Sequence, residues 1–160
     1  MSFYCTICGK QHSGFPAIAC KVPDYYLNLP REKQVVSQVS EDFCIIDHGD
    51  QVDRFIRTVI AIPVIGIDQK LEYGLWVYLN KRNFKHYYDH FNGDSTGARY
   101  FGYISNRLPG YPNTLLLKTD VVCTGTGERP HLIPHRNQHN HSFVDAFFLL
   151  HSGSSQNQHY

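Results

Sequence analysis

Alternation of hydrophobic and polar positions is clearest in residues 71–79, where every second residue is apolar: Leu71, Tyr73, Leu75, Val77 and Leu79. Because successive side chains of a strand point to opposite faces, this period of two predicts a β-strand with one buried face. Two earlier segments also predict strands. Phe43–Ile46 is a short apolar run, and Phe55–Ile62 is rich in β-branched residues.

Two more strands are predicted further along the chain, at Tyr100–Ile104 and Leu115–Val122. Between them lies Leu108–Tyr111, with proline at its second position and glycine at its third. This order specifies a type II turn, because proline presets the first central φ and glycine accepts the positive φ of the second.

A different period predicts a helix over residues 81–91, capped by Asn80. Its aromatic residues recur three and four positions apart, which places them on one helical face: Phe84, Tyr87, Tyr88 and Phe91. A second, short helix is predicted to begin at Pro30, since proline suits a first helical turn. The segment Val144–Leu150 is amphipathic but too short to assign.

Together these elements predict a single α+β domain over residues 1–150, built around a largely antiparallel β-sheet with two or three short helices. Residues 1–14 are expected to form its N-terminus, with a Cys-x-x-Cys turn like that of a zinc knuckle. Residues 151–160 are polar and offer nothing to bury, so we predict a disordered tail there.

Composition narrows the possible functions. The chain has 160 residues, of which 14% are aromatic and 18% charged, so a folded domain is expected rather than disorder. A formal net charge of +1 argues against nucleic acid as a partner. The N-terminus has no signal-peptide pattern, and the longest apolar stretch, residues 59–65, is too short to span a bilayer. We therefore expect a cytoplasmic protein that does not enter a membrane.

The cysteines carry the strongest chemical signal. Their number is odd and no export signal precedes them, which favours reduced thiols over disulfides. Cys5 and Cys8 form a Cys-x-x-Cys pair that can bind one Zn²⁺ at about 2.3 Å per sulfur. A closed site needs four ligands, and the candidates are His12 and Cys44, with Cys20 in reserve. No acid–base partner is placed beside this set, so a structural Zn²⁺ is expected rather than a catalytic one.

Other interpretations of these residues stay open. Cys5 and Cys8 can be ordinary thiols, or the remains of a lost zinc site, while a redox pair would need a βαβ context that is absent from the sequence. His86 and His90 lie four apart on the predicted helix and are typical of a solvated face. His131, His135 and His139 recur every four positions, with His141 beside them, but Pro130 and Pro134 forbid a regular helix there.

Several rare motifs, in order along the chain, resemble one uncharacterised bacterial family, the domain of unknown function 2199 (DUF2199). The opening Cys5, Cys8, Gly9 and His12 match its Cys-x-x-Cys-Gly-x-x-His. Further matches lie in these segments: Ser40–Asp47, Phe55–Arg57, Ile62–Val64, Gly74–Val77, Tyr100–Thr119 and Arg129–Pro130. The resemblance implies a small, free-standing bacterial domain, cytoplasmic, with a cysteine-rich start. It departs near the C-terminus, where Asn140 and His141 replace a family Pro-Leu.

The function expected from this sequence is a zinc-stapled binding or interaction module without catalytic activity, for a protein or small-molecule partner. An alternative is an enzyme with its site near the Ser105–Thr119 motif, because a long polar and aromatic loop exceeds what a turn requires. Its candidate binding residues are Asn106, Tyr111, Lys118 and His139, which keeps the family's histidine spacing. A second alternative, by analogy with other small bacterial domains, is an antitoxin or immunity-type partner.

The zinc hypothesis predicts about one zinc per chain in recombinant protein, because a staple of this kind couples metal binding to folding. Changing Cys5→Ser together with Cys8→Ser should lower the melting temperature. Metal analysis after tag removal, on protein never exposed to chelator, provides the measurement, and finding no bound zinc would refute the hypothesis.

Overall fold

The computed structural model describes residues 2–4, 11–13, 18–63, 70–138 and 140–148. Strands and short helices follow one another without βαβ units, so the fold is α+β, as the sequence predicts. The strands are β1 (Ser2–Tyr4), β2 (Gln11–Ser13), β3 (Ile18–Ala19), β4 (Gln38–Val39), β5 (Phe43–Asp47), β6 (Val52–Pro63), β7 (Lys70–Leu79), β8 (Arg99–Ile104), β9 (Lys118–Val122) and β10 (His131–Pro134). The helices are α1 (Asp24–Leu27), α2 (Arg31–Val36), α3 (Lys81–Asp89) and α4 (142–148).

A long antiparallel pairing of β6 with β7 is the base of the main sheet, with Arg54 opposite Leu79 at one end. From β7 the sheet continues through β8, β9 and β10, each antiparallel to the strand before it. The last of these returns to β6 in a parallel pairing, with His131 opposite Val59. This return closes the strands from β6 to β10 into a barrel.

The two long strands also carry strands that lie outside the barrel. β5 pairs with the first half of β6, and β4 pairs with β5. β3 runs parallel to β7 beside Tyr73 and Gly74. One sheet of eight strands results, while β1 and β2 pair with each other in a separate two-stranded sheet.

The main core fills the inside of the barrel. Alternate residues of β6 and β7 point into it, including Ile56, Ile60, Leu75 and Val77, all fully buried. The other walls add Ile104 from β8, Val121 from β9, Leu132 from β10, and Phe143 and Val144 from α4. Each fully buried side chain of this kind contributes about 1.5–3 kcal/mol to folding.

A second core lies on the outer face of the same hairpin. It contains Cys44, Ile46, Phe55 and Trp76, and the chain around α1 packs over it through these half-buried residues: Cys20, Tyr25, Tyr26 and Leu29. The indole N–H of Trp76 donates to the carbonyl of Cys20 at 3.0 Å. Both faces of the β6–β7 hairpin are therefore apolar and covered in this region, which accounts for its dense aromatic and β-branched sequence.

α3 packs against β6 and β7 and adds its aromatic face to the barrel core. The side-chain oxygen of Asn80 accepts from the backbone N–H of Asn83 at 2.8 Å, so the predicted cap is confirmed. Phe84 and Tyr87 are buried on the inner face of the helix, where Phe84 meets Phe43 edge-on. No helix within the described ranges is long and apolar enough to cross a membrane.

Most predicted elements are present, but the sheet closes into a barrel, there are four short helices rather than two or three, and several short strands were not predicted. β9 begins at Lys118 rather than Leu115, because the leucines before it form a turn in which Leu116 has φ +67°. The strands β1 to β4, β10 and the helix α1 were not predicted, since all are short and β10 ends on Pro134. Gly110 has φ +82°, as the predicted turn requires. Residues 151–160, the predicted tail, lie outside the described residues.

Asn106, just after β8, joins three parts of the chain. Its side-chain oxygen accepts from the backbone N–H of Trp76 at 2.8 Å. Its amide nitrogen donates to the carbonyl of Val22 at 2.9 Å and to a carboxylate oxygen of Asp24 at 3.0 Å. The residue is 1% exposed, so these bonds replace water completely and fix the α1 segment against the sheet.

We predict that Asn106→Ala lowers the free energy of unfolding by about 3 kcal/mol, because it leaves the buried Trp76 N–H and Val22 carbonyl unpaired. Urea denaturation measures the change. Asn92→Ala, at an exposed asparagine, is the matched control and should stay within about 0.5 kcal/mol of the original chain. Equal stabilities for the two variants would contradict the role assigned to Asn106.

Candidate functional site

A row of aromatic side chains crosses the outer face of three neighbouring strands. Phe55 on β6 is directly opposite Tyr78 on β7, and Tyr78 is directly opposite Tyr103 on β8. Their ring centroids are 5.8 Å and 6.4 Å apart in that order. Tyr25 of α1 adds a fourth ring, stacked on Phe55 at 5.9 Å. Sheet register therefore places rings from distant parts of the chain side by side.

These four rings line a cavity of about 270 Å³, together with Gln51, Asp53 and Leu116. Phe55 is buried at the base, whereas the three tyrosines are half-buried. The volume is close to the lower end of the range of small-molecule pockets, so the cavity suits a small ligand or the head group of a larger one.

Asp53 is the only charged residue among the described residues that line the cavity. One of its carboxylate oxygens lies 2.9 Å from Nε2 of His48, and the other accepts from the side-chain amide of Gln51 at 2.7 Å. The side chain is 17% exposed. Each carboxylate oxygen has two lone pairs, so both keep the capacity to accept a further hydrogen bond from a ligand.

The phenol of Tyr25 is held in its neutral form by its surroundings. Burial is the largest of the causes that raise the pKa of Tyr25, and the negative charges of Asp53 and Asp24 raise it further. At neutral pH its hydroxyl therefore remains a hydrogen-bond donor at the edge of the cavity.

Leu116 forms part of the rim in a backbone conformation that leucine rarely adopts. Its φ is +67°, and its side chain is 61% exposed although it is large and apolar. Its N–H donates to the carbonyl of Ile104 at 2.8 Å, which holds it in this position. Left-handed backbone costs a residue of this kind about 1–3 kcal/mol, and such strain is concentrated at binding sites.

Comparison with known proteins places the chain in a family. Residues 4–147 match the model of DUF2199, described as an uncharacterized protein conserved in bacteria. The chain belongs to DUF2199. This confirms the resemblance expected from the sequence motifs. No curated protein and no solved structure matches the chain.

The predicted binding residues of this DUF2199 chain contact separate groups. Asn106 is buried in the hydrogen bonds described above. Tyr111 packs edge-on against Phe143, with ring centroids 5.0 Å apart. Lys118 is exposed, and its backbone N–H donates to the side chain of Gln138 at 2.6 Å. His139 lies outside the described residues, so their joint role in binding remains a prediction.

The predicted zinc ligands lie only partly within the described residues. Cys5 and Cys8 fall outside them, and His12 is in β2 with its backbone opposite Phe3. Cys44 is 0% exposed among Ile46, Phe55 and Trp76, and burial raises the pKa of its thiol to about 12. Over the described ranges, no three His, Cys, Asp or Glu side chains are placed to hold a metal ion.

The other histidine pairs have local partners. His86 and His90 stack on α3 with ring centroids 4.2 Å apart. Nδ1 of His86 lies 2.6 Å from the hydroxyl of Tyr100, and Nδ1 of His90 lies 2.7 Å from the carbonyl of His86. His135 pairs with Asp120 at 2.8 Å. The contacts of His86 and His90 agree with the solvated helical face that the sequence favours for these two residues.

Sequence reasoning missed the aromatic cavity. Its residues come from α1, the start of β6, β7, β8 and the turn before β9, and only strand register brings them together. One signal was present, since Tyr78 alternates with Val77 and Leu79 and so belongs to the outer face. The pairing of Tyr78 with Phe55 and Tyr103 could not be read from the alternation alone.

We predict that Asp53→Asn lowers the pKa of Tyr25, because one of the two negative charges that disfavour its phenolate is removed. A pH titration of tyrosine ring-carbon NMR signals measures the change, with the Tyr25 signal assigned through Tyr25→Phe. Asp50→Asn, at an exposed neighbouring carboxylate, is the control and should leave the pKa of Tyr25 unchanged. An unchanged value in Asp53→Asn would show that the two groups do not interact.

Proposed function

We propose that this DUF2199 domain is a binding module whose ligand occupies the aromatic cavity. The observation that carries the proposal is the convergence of Tyr25, Tyr78 and Tyr103 from different elements around one space, with Asp53 at its edge. Aromatic rings offer large contact area with few rotatable bonds, so they bind a ligand at low entropic cost. The strained Leu116 at the rim supports the same location.

Binding, rather than catalysis, is the use that the cavity supports best. Its described walls supply rings, an amide and one carboxylate that is already bonded to His48 and Gln51. Nucleophilic catalysis needs a nucleophile within hydrogen-bond reach of a base, and the described lining residues offer no such pair. The alternative enzyme site near Ser105–Thr119 touches this cavity through Leu116, whose side chain has no reactive group.

A structural Zn²⁺ is part of the proposal on sequence grounds. We propose Cys5 and Cys8 as its first ligands, completed by His12 and by Cys44 or Cys20. In support, β1 and β2 pair as an antiparallel hairpin with Tyr4 opposite Gln11, and both cysteines lie between them in the sequence. The buried thiol of Cys44 would need the charge of the metal to ionise, because its pKa is raised to about 12.

A fragment screen by amide NMR tests the proposed binding function. We expect hits from a library of cationic, neutral and anionic fragments to shift the backbone signals of Tyr25, Tyr78 and Tyr103. Tyr78→Leu, which keeps an apolar strand residue but removes a ring, should weaken such hits about fivefold, as expected for about 1 kcal/mol of aromatic contact.

Tyr88→Leu, at an exposed tyrosine of α3 outside the cavity, is the matched control and should leave the affinities unchanged. Melting temperatures of both variants establish that they fold. Hits that all map elsewhere, or a screen without any hit at millimolar concentration, would count decisively against the cavity as the ligand site.

A further inference from the structure

The described walls of the cavity combine aromatic rings with a single carboxylate, and this combination selects a ligand by charge. We propose that the ligand carries an organic cation, an alkylammonium head group, which enters the cavity between the tyrosines and lies beside Asp53. This inference rests on the proposed binding function and names the chemical class of the ligand.

The ring faces form the first part of the recognition. The interplanar angles are 22° between Tyr25 and Phe55, 73° between Phe55 and Tyr78, and 49° between Tyr78 and Tyr103. The ring planes that line the cavity are therefore inclined to one another rather than forming one flat stack. An aromatic face attracts a cation within about 6 Å of the ring centroid through its quadrupole, and the attraction increases when water is displaced.

The carboxylate of Asp53 forms the second part of the ligand recognition. Its Gln51 partner is neutral, and its His48 partner is a cation only when protonated, so the carboxylate keeps negative charge to offer to a ligand. Asp24, next to Tyr25 in the sequence, also accepts from neutral donors, namely the Asn106 side chain and the Arg107 backbone N–H, each at 3.0 Å. Both carboxylates act on Tyr25, so their fields overlap at this wall.

Desolvation decides between a cation and the other ligand classes. A neutral apolar group that filled the cavity would remove water from Asp53 and return no opposite charge, which is costly for a carboxylate. An anion, including a nucleic-acid phosphate, would meet the negative charge directly. An alkylammonium group fills the apolar space and also neutralises the carboxylate, so it alone satisfies both parts of the site.

Competition between shape-matched probes tests this inference. Choline and 3,3-dimethylbutan-1-ol have the same shape and differ in the positive charge. We expect choline to bind with at least about tenfold lower Kd at constant ionic strength, measured from the same cavity signals. Nα-acetyl-lysine methylamide is a third probe, which mimics a lysine side chain of a partner protein. Tighter binding of choline would indicate a free small molecule, and tighter binding of the lysine probe would indicate a partner protein.

Two further measurements link the preference to Asp53. Asp53→Asn should reduce the choline preference to within about threefold, whereas Asp50→Asn should retain it. In the original chain, added NaCl should weaken choline binding and leave the neutral isostere unaffected, which tests the charge even if Asp53→Asn folds poorly.

The outcomes separate this inference from the proposed function. Equal affinities for choline and its neutral isostere at the cavity would refute the inference that the ligand is a cation, while the proposed binding site would stand. The absence of cavity shifts with every probe and every library fragment would overturn both.

Discussion

The structure depends on one pairing, the long antiparallel register of β6 with β7. β6 and β7 are both longer than the other strands beside them. The edge of each strand that faces away from the hairpin can therefore pair with two further strands. On β6 those strands are β5 and β10, and on β7 they are β8 and β3. A shift of one residue in this register would exchange the inner and outer faces, and both hydrophobic cores would be lost together.

The same hairpin explains why a cavity exists on the outer face. Trp76 and Tyr78 are neighbours on that face, yet Trp76 is completely buried and Tyr78 is only half-buried. The difference arises because the chain around α1, held by Asn106, covers Trp76 and ends its cover near Tyr25. Beyond that point none of the described residues covers the aromatic row, so residues that belong to the core at one end become cavity walls at the other.

Local pattern in the sequence predicts local structure well here and long-range structure poorly. The alternation in residues 71–79 and the Asn80 cap specify β7 and α3 directly, because both depend on neighbouring residues. Barrel closure through His131–Pro134 was not predictable, since a short segment with a terminal proline carries no clear period and its partner is far away in the sequence. The Ser105–Thr119 motif was singled out as a candidate site, whereas its polar Asn106 makes internal hydrogen bonds. The cavity residues carry no shared spacing, because tertiary pairing alone assembles them.

The parallel contact between β6 and β10 has a consequence for synthesis on the ribosome. β6 and β7 are complete long before the residues of β10 emerge, and nothing can close the barrel until Leu132 and the helix with Phe143 are available. During that interval the inner face of the hairpin, with Ile56, Ile60 and Leu75, has no permanent cover. Folding is consequently governed by non-local pairing, which is slow and leaves apolar strands open to association with other chains.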